Sequence, residues 1–152
     1  MPPYKFRFEV VRRVRQTRRD ELRGELAAAY QAAEKLADEK RSLEAELQQL
    51  RQHMTATAAA KQMNIGSLLD SQRYELILKS QIVQVDRKAQ LVEQEIDRRR
   101  QAVVAAEREV KVMDTLDAKG QQLHRVEEMR ADNKQMDEIA GVLTARRNRS
   151  AT

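Results

Sequence analysis

The side chains able to do chemistry in this chain are two histidines, 24 carboxylates, 29 lysines and arginines, and no cysteine. Metal ligands on a helix must recur about one turn apart, and neither His53 nor His124 is read as opening such a site. The four glycines, Gly24, Gly66, Gly120 and Gly141, are scattered, and none stands in a phosphate-cradling loop of P-loop or dinucleotide type. Carboxylates on open helical faces lack the burial that raises a pKa for acid catalysis. Without cysteine there is no disulfide framework, no thiolate metal site and no cysteine nucleophile. No catalytic, cofactor-binding or metal-binding residue is assigned, and the expectation is a protein that is not an enzyme.

Charge is more informative. In residues 1–23, Lys5, Arg7, Arg12, Arg13, Arg15, Arg18, Arg19 and Arg23 face only Glu9, Asp20 and Glu21, a net charge of +5 that equals the whole chain's. Arg146, Arg147 and Arg149 form a second basic cluster, and Arg98-Arg99-Arg100 a third that straddles an apolar seam and reads as rim and salt-bridge structure. The first two read either as solvated helical faces or as an electropositive tip for an acidic protein, a nucleic acid or an anionic lipid. Nucleic acid is not expected, because aromatics are only 3% of the chain and stacking residues and binding motifs are missing.

The elements that carry these residues follow from composition and spacing. Charged residues make up 35% of the 152, and only four Gly and two Pro occur, the prolines being Pro2 and Pro3. So few turn formers cannot support the reversals of a sandwich, barrel or doubly wound sheet. The dominant residues are helix formers. High charge also marks disordered chains, but regular apolar spacing argues against that. Leu22, Leu26, Ala29, Ala33, Leu36, Lys40, Leu43, Leu47, Leu50 and Met54 alternate steps of four and three, the rhythm of a coiled-coil face. Upstream, Val10, Val14 and Phe6 extend the apolar stripe while Arg15, Thr17 and Arg18 blur its register.

A second seam runs through Leu78, Ile82, Val85, Ala89, Val92, Ile96, Arg99, Val103, Ala106, Val110 and Met113. Near Leu116 the apolar pattern shifts by a residue and continues through Leu123, Val126, Met129, Met136, Ile139 and Leu143, with Gly120 as the weak point. Between the seams lies one break, Asn64-Ile65-Gly66-Ser67, with Ser67 as the cap of the second helix. The expected fold is all-α: two long helices forming an antiparallel coiled-coil hairpin in a single domain. Helix 1 is placed at about residues 4–62, the turn at 63–67, helix 2 at 68–146 and a frayed tail at 147–152. In that hairpin Lys40 lies near Ala89 and Glu93. One uninterrupted rod that dimerises is the alternative for the same seams. No run approaches the roughly 20 apolar residues of a membrane span, and no signal-peptide core is present, so a soluble cytoplasmic protein is expected.

Three stretches carry a resemblance. Phe6-Arg7-Phe8 followed by Val10 and Val14 resembles the opening of the flagellar FliJ family. Lys111-Val112-Met113-Asp114-Thr115-Leu116-Asp117-Ala118-Lys119 is similar to that family's lysine, acid and leucine pattern, and Asp137-Glu138-Ile139-Ala140 to its acidic-apolar signature. Arg13 and Thr17 depart from it, standing where the family is usually apolar and basic. The resemblance implies a non-enzymatic coiled coil of the flagellar type III export apparatus, similar to the paired terminal helices of the rotary ATP synthase γ subunit. Its implied partners are a hexameric export ATPase (FliI-like), an export gate protein (FlhA-like) and export chaperones. The implied location is cytoplasmic, peripheral to the cytoplasmic face of the inner membrane. Injectisome proteins of the YscO type share the layout. Phe6, Phe8, Asp137, Glu138 and Ile139 from the resemblance, with Arg12, Arg15 and Arg19 from the basic cluster, form the expected partner-binding set. The other readings of the residues are a basic coiled coil that binds nucleic acid or anionic membrane, and a self-associating scaffold rod.

Overall fold

The computed structural model of the protein describes residues 2–61 and 64–150. Two helices account for nearly all of them: α1, Glu9–Ala59 (51 residues), and α2, Ile65–Ser150 (86 residues). The fold is all-α and antiparallel. Among the described residues no helix is long and apolar enough to cross a membrane.

The helix ends differ from the sequence expectation at four places, each for a local reason. Helix α1 starts at Glu9 rather than near residue 4. The residues before it form a non-helical strap in which the Tyr4 hydroxyl donates to the Asp117 carbonyl at 3.3 Å, a contact that stands in place of a further helical turn. At its other end α1 stops at Ala59, and Lys61 takes the left-handed conformation (φ 52°) that usually falls to glycine after a helix. The expected helix end at Gln62 and the turn position Met63 lie outside the described residues.

Helix α2 then starts at Ile65, earlier than expected, because Asn64 rather than Ser67 is its cap: the Gly66 amide donates to Asn64 Oδ1 at 3.1 Å. Gly66 is thus inside the first turn of α2, and it has no left-handed backbone. The reversal therefore does not use the glycine. At the far end the stretch expected to fray is helical through Ser150, with Arg147 and Arg149 in the last turn, where cations oppose the helix dipole. Ala151 and Thr152 lie outside the described residues.

The chain divides into two compact units, Met1–Arg19 with Ala106–Thr152 (unit 1) and Asp20–Ala105 (unit 2). In unit 2, Leu22, Ala29 and Leu47 of α1 and Leu78, Val85, Ile96 and Val103 of α2 are buried. Leu26, Leu36, Leu43, Leu50, Ile82 and Val92 are half-buried, because a pair of helices leaves each seam side chain open on one flank. Polar contacts fix the antiparallel stagger. Arg51 pairs with Glu75 at 3.0 Å and Lys40 with Asp86 at 2.7 Å. From the first pair to the second, α1 is descended by as many residues as α2 is climbed. That stagger gives Lys40 to Asp86 and not to Glu93, the neighbour expected from the sequence.

The Arg98–Arg100 run does serve the seam's rim. Arg98 and Arg99 share Glu95 at 2.6 and 2.8 Å, Arg99 donates to the Glu25 carbonyl at 2.5 Å, and Arg100 donates to the Tyr30 hydroxyl at 2.6 Å. Arg98 and Arg99 hold Glu95 below the usual carboxylate range through their hydrogen bonds, Arg98 first.

Candidate partner-binding surfaces

In unit 1 the heptad rhythm of the α1 seam continues toward residue 9 without a slip, but through charged side chains. Arg12, Arg15 and Arg19 occupy the seam positions and are half-buried, whereas Val10 and Val14 are 75% and 63% exposed. The expectation that these valines extend the seam is therefore corrected. On α2 the seam also keeps its register, passing from the buried Val110 and Met113 to Asp117, Gly120 and His124. The apolar shift at Leu116 and Leu123 is a second stripe on the outside, not a shift of the seam. Two packed helices cannot change phase by one residue without losing every later contact. The polar residues stay in line and pair instead.

Arg12 is the centre of that pairing. Its Nη1 donates to Asp117 Oδ2 at 2.8 Å, its Nη2 lies 2.6 Å from Glu9, and Asp114 stands at 3.9 Å. Burial alone would lower the Arg12 pKa, but Asp117, Glu9 and Asp114 outweigh it and the value is raised. The guanidinium also lies 5.3 Å from the centre of the Phe6 ring, a cation–π contact. Arg15 donates to the Glu109 carbonyl at 3.4 Å.

The strap is set by the same stretch of α2. Tyr4 stacks at a tilt on His124, with ring centroids 5.8 Å apart, and covers Gly120. A methyl group on Gly120 would fall on the Tyr4 hydroxyl and within 3.1 Å of its Cζ. Gly120, a weak point in the sequence reading, is the notch that receives the tyrosine. Burial, followed by Asp117, raises the Tyr4 pKa. His124 Nε2 is 3.1 Å from Glu128 one turn on, an acidic neighbour that the sequence reading passed over. Among the described residues no group of histidines and carboxylates could hold a metal ion.

The structure thus joins Phe6 and Arg12 to one another and turns Arg12, Arg15 and Arg19 inward. Phe8 meets Phe6 edge-on at 6.0 Å and remains 43% exposed, with Arg7 over its ring at 5.7 Å. Asp137, Glu138 and Ile139 lie on a fully exposed part of α2 beyond His124, and none of the described contacts joins them to Phe6, Phe8 or the arginines.

Two surfaces escaped the sequence reading. In unit 1, Arg12 and Asp114 meet on one flank of the seam, and helical phase turns Val11 and Val14 of α1 with Val112 and Leu116 of α2 toward the other. Arg108, Lys111 and Lys119 border Val112 and Leu116. In unit 2, Leu69, Leu76 and Val83 recur every seven residues on the outside of α2, all exposed, with Ile65 one turn before them. The signal was in the sequence as a second heptad beside the first, and only one seam was assigned to each helix.

A family model described as flagellar FliJ protein matches residues 4–149, nearly the whole chain. No curated protein and no solved structure matches it significantly. The match over nearly the whole of a chain built as two seamed helices leads to one conclusion: the chain belongs to the flagellar FliJ family, which implies a component of the flagellar export apparatus.

Proposed function

We propose that this protein is a linker of the type III export apparatus. It binds the hexameric export ATPase and stimulates it without hydrolysing nucleotide, and it connects that ATPase with the export gate and the export chaperones. The observation that carries this reading is that each unit has an unpartnered apolar surface of its own, and a linker needs two. In unit 1 an apolar centre at Val112 and Leu116 with the cations Arg108, Lys111 and Lys119 beside it suits an acidic surface of the ATPase. Arg12, Arg15 and Arg19 act there by fixing the seam, and Asp137, Glu138 and Ile139 supply a second contact from the exposed part of α2. In unit 2 the Leu69, Leu76 and Val83 stripe is the gate contact. Such a linker works at the cytoplasmic face of the inner membrane, as a peripheral component.

The test separates the two surfaces. Turnover of the cognate ATPase and capture of the gate's cytoplasmic domain are measured with wild type, Val112→Glu/Leu116→Glu and Leu76→Glu/Val83→Glu. The first variant is expected to lose stimulation and keep gate capture, and the second to do the reverse. Wild type that neither binds nor stimulates the ATPase, or two variants that behave alike, would sink the assignment.

A further inference from the structure

From Asp132 to Ser150 every residue of α2 is exposed. Within and just before that stretch, Met129, Met136 and Leu143 stand seven residues apart, with Ile139 between the last two, all of them 56% to 67% exposed. Extended by the same steps of four and three, the stripe reads Arg125, Met129, Asp132, Met136, Ile139, Leu143, Arg146. This is a heptad face with an apolar middle and charged ends, and nothing described in unit 1 covers it. Isolated helical stretches are marginal in water without such a partner.

The charges select the occupant. Glu127, Glu128 and Asp132 precede the apolar middle, and Arg146, Arg147 and Arg149 follow it. A uniformly acidic helix would meet like charge at the first group, and a uniformly basic one at the second. A parallel copy would set each group against itself. An antiparallel copy, related by a two-fold axis between Met136 and Ile139, matches both ends at once. Met136 of each copy then packs in a layer with Ile139 of the other, and Glu128 lies on the same flank as Arg149, two residues from level with it. Asp132 lies one layer from Arg146, within reach of its long side chain. Self-complementarity of this kind is what a two-fold interface requires, and charges flanking an apolar seam commonly set its orientation.

We propose that residues 125–150 of α2 form an antiparallel interface with the same residues of a second copy of this chain. The interface uses Ile139, which the ATPase reading also uses, so a second copy and the ATPase would compete for this stretch; the test contains neither the ATPase nor the gate. Sedimentation equilibrium of the full chain, followed over about two decades of concentration, should show the mass rising from 17.6 kDa toward twice that value. Arg146→Glu with Arg149→Glu should weaken association at least about tenfold, and adding Glu128→Arg with Asp132→Arg should restore it. Met136→Ser with Ile139→Ser should abolish it. All these positions lie on the exposed part of α2 or at its edge, and circular dichroism checks that each variant keeps its helicity. A chain that stays monomeric throughout overturns the proposal. So does association indifferent to the charge reversal or to the serine pair, and a reversal that the swapped acids fail to rescue overturns the antiparallel pairing.

Discussion

Arg12 reaches across to Asp117 at 2.8 Å from a position in the seam that Leu22, Leu26 and Ala29 occupy further along the same helix. Both side chains are largely shielded, at 22% and 14% exposure. The α1 arm of unit 1 is therefore held by charge and by the Tyr4 notch more than by apolar burial. Removing Asp117 takes from the shielded guanidinium its nearest partner on the facing helix and leaves it Glu9 of its own helix, whereas replacing both with apolar residues of similar size removes the desolvation cost.

Asp117→Ala should accordingly loosen the α1 arm, and the double change Arg12→Leu/Asp117→Leu should tighten it again. Hydrogen exchange read by mass spectrometry checks this: amides of residues 9–19 should exchange faster in the single variant and recover in the double one. Amides around Leu78 to Ile96 should be unaffected in both. Equal exchange at residues 9–19 in wild type and the single variant would show that the ion pair does not hold the arm.

Leu78 is the most deeply buried side chain described, at 1% exposure, while Leu76 on the same helix is exposed. Leu78→Ala should cost about 2–4 kcal/mol in urea titration, as buried leucines do. Leu76→Ala should stay within about 0.5 kcal/mol. Matching losses would place the inner face of α2 wrongly.

Gly120→Ala is expected to evict Tyr4 at little cost to folding. The clash falls on the far end of a side chain that can swing away, and alanine favours the helix by about 1 kcal/mol over glycine. The readout is the phenol absorbance during a pH titration, in a background where Tyr30 and Tyr74 are Phe. Tyr4 should titrate above its ordinary value while Gly120 is present and fall back toward it in the Gly120→Ala variant, since burial and Asp117 raise it only while the ring is lodged. An unchanged titration would show that the notch does not hold the ring.

Acid stability follows from Glu75 and Glu95, both held below the ordinary value of 4.5. The causes are hydrogen bonds, from Lys79 and then Arg51 for Glu75, and from Arg98 and then Arg99 for Glu95. A carboxylate with a lowered folded-state pKa contributes stability that is present above its unfolded value and lost as pH falls through the folded one. The urea midpoint should hold steady above the ordinary carboxylate range and decline below it. Arg51→Gln should flatten that decline, because it raises the folded-state pKa of Glu75 toward the unfolded one. A decline equally steep in the variant would assign it to other groups.

Much of the fold was legible in the residues. The steps of four and three from Leu22 to Met54 and from Leu78 to Met113 point to two helices because helical periodicity is a property of each segment alone. The scarcity of Gly and Pro excluded sheets for the same local reason. The cap was harder to read: Asn64 and Ser67 are both good capping residues, and only the backbone path shows which one faces a free amide.

The class of the fold, the two seams and the excess of base in residues 1–23 are thus properties of local spacing and composition. Which face of each helix is inside beyond those seams is a property of the packing. Val10 and Val14 are apolar and lie outside, while Arg12, Arg15 and Arg19 are charged and lie within. A helix offers several faces with similar periodicity, and which phase is turned inward depends on what the facing helix brings against it. A charged residue at that phase is accepted only when the facing helix supplies a counter-charge or an acceptor. Arg12 has Asp117 and Arg15 has the Glu109 carbonyl across the seam, pairings between residues about a hundred positions apart that no local pattern can announce.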